Sequence, residues 1–199
     1  MPHTKTKIAA AIGAAMVMAA TATPVRAQAF ADLKTALVDY SKSVLEPRKA
    51  CETLGSFKSK EIAQIAAASM PAAAGVPAHC RVTGLLSPEI AFEVSLPAKW
   101  NGRFYMIGNG GLAGEAMDDP GRVAQRNGAL QLGFAFAQTN TGHDARKEPS
   151  GSFVLSNPQK ATDYAWRAVH LTAATTKDIT KEYYGKSVSH AYWLSLIHI

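Results

Sequence analysis

Apolar and polar positions alternate with period two along Val82, Gly84 and Leu86, and again along Ile90, Phe92, Val94 and Leu96, with Ser87-Pro88-Glu89 between them. That pattern predicts two strands joined by a turn and paired antiparallel. Two continuous apolar runs follow, Phe104 to Ile107 between Gly102 and Gly108, and Phe134 to Ala137. Both are too short for helices and read as interior strands of a mostly parallel sheet. Elsewhere the period lengthens. Ile62, Ile65, Ala66 and Ser69 predict a helix over Lys58 to Met70, ended by Pro71. Val123, Ala124, Leu130 and Leu132 predict another over Pro120 to Leu132, capped by Asp118 or Asp119 and interrupted by Gly128. Asn157-Pro158 starts the longest one, with Ala161, Ala165, Ala168, Val169, Thr172, Thr176, Ile179 and Tyr183 on one face and Gly185 as its stop. Trp166 and His170 on that helix are expected to be packing residues. Phe30, Leu33, Leu37 and Val38 predict a peripheral helix over Phe30 to Ser43, and Ser189 to Trp193 begins a further strand. Strands alternating with helices define an α/β chain.

The ends of the chain change this picture. His3, Lys5 and Lys7 precede an apolar run from Ile8 to Ala22, followed by Val25-Arg26-Ala27 or Ala27-Gln28-Ala29 as a small-x-small site. Residues 1–27 therefore read as a secretory signal peptide, cleaved after Ala27 or Ala29. The run is short and alanine-rich for a membrane anchor and is followed by Pro24. Its removal leaves 18 basic against 15 acidic residues of the 199-residue chain, an ordinary soluble surface. The pI near 9.4 thus gives no case for nucleic acid, and no membrane association is expected after cleavage. Export makes a Cys51–Cys80 disulfide the natural expectation, against two unpaired thiols, and no His/Cys spacing suggests zinc.

The chemistry lies in Gly108-Asn109-Gly110-Gly111-Leu112-Ala113-Gly114, four glycines in seven residues directly after a predicted strand. Such a backbone can take positive φ and bring bare N–H groups against a developing oxyanion, with Gly110 and Gly111 as the candidate donors. A tight turn needing glycine for sterics alone is the other reading.

Pro77-Ala78-His79-Cys80-Arg81-Val82-Thr83-Gly84, Ile90 through Trp100-Asn101-Gly102-Arg103 and Gly108-Asn109-Gly110-Gly111 together resemble the tannase and feruloyl esterase family of α/β-hydrolases. Gly133-Phe134-Ala135 through Thr139-Asn140-Thr141-Gly142-His143, Asp163-Tyr164-Ala165-Trp166-Arg167-Ala168-Val169-His170 and Tyr183-Tyr184-Gly185 resemble later blocks in family order, so the likeness covers roughly Cys51 to Trp193. It implies an α/β-hydrolase fold of which residues 28–193 are the N-terminal part. It also implies a serine, aspartate and histidine triad acting on small-molecule aromatic esters: galloyl, feruloyl or mono(hydroxyethyl) terephthalate. In the family the Tyr192-Trp193 position continues as Gly-Cys-Ser-x-Gly-Gly, the nucleophile elbow. Here Leu194-Ser195-Leu196-Ile197-His198-Ile199 follows instead, the peptide that a transposase-type sequencing adapter encodes in frame. The natural sequence is therefore expected to diverge after Trp193, leaving this chain without its triad and inactive. A lid, with a structural calcium in some members, is implied beyond the nucleophile. No cofactor is expected in this stretch. His143 precedes the nucleophile position, whereas the fold places its catalytic histidine last, so it reads as structural. A noncatalytic exported binding protein is the rival reading. A nucleotide-binding protein is weaker, since the loop departs from Gly-x-Gly-x-x-Gly.

Overall fold

The protein is described by a computed structural model over residues 44–195. The signal sequence, the Phe30 to Ser43 helix and the last four residues lie outside these described residues.

Six strands form one mixed sheet in the order β1-β2-β3-β5-β4-β6. β1 (Ile62–Met70), β2 (His79–Leu86) and β3 (Ile90–Pro97) are an antiparallel meander. The two period-two stretches are β2 and β3, as expected. β5 (Ala135–Thr139) pairs antiparallel with β3 and parallel with β4 (Arg103–Ile107), and β6 (His190–Leu194) pairs parallel with β4. The two continuous apolar runs are thus β4 and β5, both interior. α1 (Pro120–Gln131) connects β4 to β5 with Asp119 at its N-cap position and runs unbroken through Gly128.

The helix expected over Lys58 to Met70 is not formed, and Ile62–Met70 is an edge strand. A register shift between Ile62 and Gln64 inserts a residue into β1. The insertion sets Ile62 and Ile65 three apart while both remain half-buried, so a bulged strand imitates helical spacing.

The inner strands β3, β4 and β5 bury both faces of the sheet, whereas β1 and β6 at its edges are largely exposed. Val82, Phe92, Val94, Phe104, Met106 and Ala137 face one core, covered by α4 (Ala168–Tyr184) through Ala168, Ile179, Tyr183 and Tyr184. Alternate positions of β4 and β5, Ile107 and Phe136, meet α1 at Ala129 on the other face. Trp100 is fully buried, stacked on Tyr184 at 4.4 Å, with its indole N–H donated to the Arg103 carbonyl. Glu93, also fully buried, is held by Arg81 at 2.7 Å and Arg126 at 3.2 Å, which offsets the cost of desolvating a carboxylate. Cys51, in a 3₁₀ turn over Cys51–Ser56, is bonded to Cys80 on β2 as expected, with 5.4 Å between their Cα atoms.

The long helix is interrupted. α2 (Phe153–Ser156) is followed by α3 (Pro158–Thr162), whose N-cap Asn157 accepts from the Gln159 N–H at 2.9 Å. A π-turn over Asp163–Arg167 comes next, the Ala168 N–H reaching back five residues to the Asp163 carbonyl, and α4 then runs to Gly185 in the left-handed conformation. Thr176 and Thr180 turn their buried hydroxyls onto the Thr172 and Thr176 carbonyls at 2.6 Å, which satisfies them inside the core.

Candidate active site

Because β4, β5 and β6 run parallel, their C-terminal ends share one edge of the sheet, where open α/β sheets bind ligands. β4 delivers the glycine loop there, and the Gly108 N–H anchors its start on the Leu194 carbonyl of β6 at 2.7 Å. The Ala113 N–H closes a turn onto the Gly110 carbonyl at 2.9 Å, with Gly111 as first central residue at φ +53°. In a trans peptide the N–H opposes the C=O, so the Gly111 N–H points away from that closure. No hydrogen bond to it is formed among the described residues. The Gly110 N–H, in contrast, is directed at Glu115 Oε1, 3.3 Å away.

Glu115 organises the inner side of the loop. Its Oε2 accepts from Asn109 Nδ2 at 2.7 Å and pairs with Arg122 of α1 at 3.0 Å. Asn109 also donates to the Thr139 carbonyl at the end of β5, and Arg122 reaches Gln138 on the same strand. Burial pushes the Glu115 carboxyl upward, but the Asn109 amide, its own backbone, Arg122 and the Gly110 N–H together outweigh burial and hold it below the ordinary range. A depressed folded-state value means that the tether is present above the ordinary glutamate range and is lost as pH falls through the lowered value. The Gly110 amide proton is therefore expected to titrate with a midpoint below the ordinary value for a glutamate carboxyl. A midpoint at or above that value in a two-dimensional NMR titration would show that the carboxylate does not brace the loop.

On the outer side lies a cavity of about 600 Å³, lined by Asn109, Gly111, Tyr164, Trp166, His170 and Trp193 among others. A cavity of this size with aromatic walls and a few polar groups suits a small organic ligand. Trp166 and His170 do not pack on the sheet as expected. Trp166 is 58% exposed, and the pair sits one helical turn apart with ring centroids separated by 6.1 Å. The buried face of α4 begins at Ala168 and leaves both rings to the cavity.

His143 is buried and stacked flat on Phe153 at 3.7 Å, with neither ring nitrogen in a well-formed hydrogen bond. Burial lowers its pKa and favours the neutral ring, in keeping with a structural role. Among the described residues no group of three or more His, Cys, Asp or Glu is placed to hold a metal ion, and no helix is long and apolar enough to cross a membrane. Two residues that the sequence did not single out complete the site. Glu115 lies inside the loop's own turn, and Tyr164 on the π-turn donates its hydroxyl to the Gly111 carbonyl at 3.0 Å. The former has a sequence signal, an acid placed six residues after Asn109 beside a glycine loop; the latter has none.

The family model described as "Tannase and feruloyl esterase" matches residues 74–195. Feruloyl esterase B of Aspergillus niger is 33% identical over 138 residues, 67% of this chain and 24% of that protein. Mono(2-hydroxyethyl) terephthalate hydrolase of Piscinibacter sakaiensis is 28% identical over 145 residues, 65% of this chain and 24% of its own length. The crystal structure of feruloyl esterase B from Aspergillus oryzae has the same fold over 73% of this chain and 33% of that one, with a TM-score of 0.56 at 23% identity. The chain spans about a quarter of the length of the curated relatives it matches.

Proposed function

Since the chain belongs to the tannase and feruloyl esterase family and carries part of an α/β-hydrolase fold, we propose that it supplies the oxyanion-binding half of an exported serine carboxylic-ester hydrolase. The observation that carries this reading is the unengaged Gly111 N–H at the mouth of an aromatic cavity. In the reaction a serine oxygen bonds to the ester carbonyl carbon, and the carbonyl oxygen takes the electron pair. The Gly111 N–H and the amide after the serine stabilise that oxyanion; a histidine carries the serine proton to the departing alkoxide as the C–O bond breaks. Water then releases the acid by the same steps in reverse. Trp166, Trp193 and Tyr164 offer flat surfaces for a phenolic or terephthalic ring, which favours galloyl, feruloyl or terephthalate esters. The Cys51–Cys80 bond fits an oxidising compartment and supports export.

The nucleophile is proposed to follow β6 in the gene. Gly185-Lys186-Ser187-Val188-Ser189 lacks the second glycine of an elbow, and no Gly-x-Ser-x-Gly occurs in the 199 residues. Reading the genomic DNA beyond codon 193 is expected to reveal that motif, and its absence would favour the noncatalytic binding protein. The purified 199-residue chain is expected to leave methyl gallate and methyl ferulate intact. Hydrolysis by that chain, abolished by a serine-directed phosphonate, would overturn the assignment of the serine to a later position.

A further inference from the structure

The geometry points to Tyr164 as a positioning residue that holds the Gly111 amide on its target, an inference that rests on the oxyanion reading above. The glycine loop is tied from three directions. The Ala113 N–H fixes the Gly110 carbonyl, Glu115 engages the Gly110 N–H from inside, and the Tyr164 hydroxyl engages the Gly111 carbonyl from the cavity side. The first two ties fix the peptide planes before and at Gly110. Among the described residues Tyr164 alone bonds the plane after Gly111. Without it a glycine at positive φ can turn about its own ψ and swing Leu112 and Ala113, which loosens the Ala113 closure on the Gly110 carbonyl and with it the peptide plane that carries the Gly111 N–H.

The π-turn explains how a residue 53 positions away reaches that carbonyl. Its first residue, Asp163, is fully buried and accepts from Gln159 at 2.9 Å and Arg167 at 2.8 Å, and Arg167 continues to Glu61 at 3.2 Å. This network pins the wider turn in place. Tyr164 follows directly, its ring packed edge-on against Phe153 at 5.3 Å, so the ring is set by packing and the hydroxyl by the loop. The hydroxyl touches a backbone carbonyl and no reacting atom. Its contribution is to the orientation of a donor that matters most once negative charge has developed, so it acts on turnover more than on substrate binding.

Tyr164→Phe keeps the ring and removes only the hydroxyl. In the complete gene product this variant is expected to lower kcat on methyl ferulate by about five- to tenfold, the equivalent of one ordinary hydrogen bond, with KM close to the parent value. The melting temperature should stay close to that of the parent, because the bond lies at the cavity mouth and not in the core. In the ¹⁵N-labelled 199-residue chain, the Leu112 amide nitrogen, which follows the bonded carbonyl, is expected to shift, and the Gly111 amide to gain fast motion in heteronuclear relaxation. Unchanged Leu112 and Gly111 signals, or an unchanged kcat, overturn the role of Tyr164 and leave the oxyanion reading standing. A lowered melting temperature with kcat and KM moving together would assign Tyr164 to structure alone and overturn it as well. Full turnover in Gly111→Val removes the oxyanion reading itself, and the role of Tyr164 with it.

Discussion

Gly111→Val in the complete gene product is expected to lower turnover on an aromatic ester by about a hundredfold or more, the usual loss when one oxyanion donor is removed. Binding of a nonhydrolysable substrate analogue should remain near its parent value, since the amide acts chiefly in the transition state. Nothing lies within 4 Å of a Cβ built at Gly111, so the variant has room to fold. What it meets is the backbone, at φ +53°, where a β-branched side chain is strained and pulls the turn away from its geometry. Gly110→Val is the internal comparison. That site is equally open and lacks a positive φ, and its N–H already faces Glu115, so its turnover should fall less. Stopped-flow acylation rates for both variants check the order. Near-parental turnover in both would make the loop a steric turn.

Loss of the Cys51–Cys80 bond is expected to destabilise the fold by about 3 to 4 kcal/mol in the chain-entropy account, given a sequence separation of 29. The bond joins the 3₁₀ turn to β2 from a buried position beneath the edge strand β1, so its loss frees the segment leading into the sheet as well as the closed loop. Urea unfolding of the Cys51→Ala/Cys80→Ala variant against the oxidised parent measures this. A midpoint unchanged within error would show that the meander holds this segment without the covalent link.

The parts of the fold legible in the sequence were those decided by local pattern. Period two in β2 and β3, and short apolar runs for β4 and β5, survive because one strand's burial is written in its own residues. β1 carries a helix-like pattern because its burial depends on a bulge, and a bulge is set by the partner strand and not by Ile62 and Ile65 themselves. The long helix was legible at its ends, from Asn157 and Gly185, but its π-turn was not: Asp163 is anchored by Gln159 and Arg167 only once all three are folded together. Trp166 and His170 read as packing residues for the same reason, since the buried face is known only after that turn has set its rotation. Of the candidate site, the glycines announced themselves by composition. Which of two adjacent amides is free is decided by Glu115, which takes the Gly110 N–H, and the Tyr164 contact to the Gly111 carbonyl, across 53 residues, leaves no periodic trace.

The strand order β1-β2-β3-β5-β4-β6 carries a consequence for how the molecule assembles. β1, β2 and β3 pair with their sequence neighbours, so closing them into a meander costs little loop entropy. β5 must instead slot between β3 and β4, and the other side of β4 is paired by β6, whose His190 meets Arg103 across an intervening stretch that includes the whole of α4. Pairings this distant in sequence form slowly. The meander is thus expected to form first and the edge that presents the glycine loop to be completed last, so the ligand-binding half depends on an antiparallel platform that carries none of its chemistry.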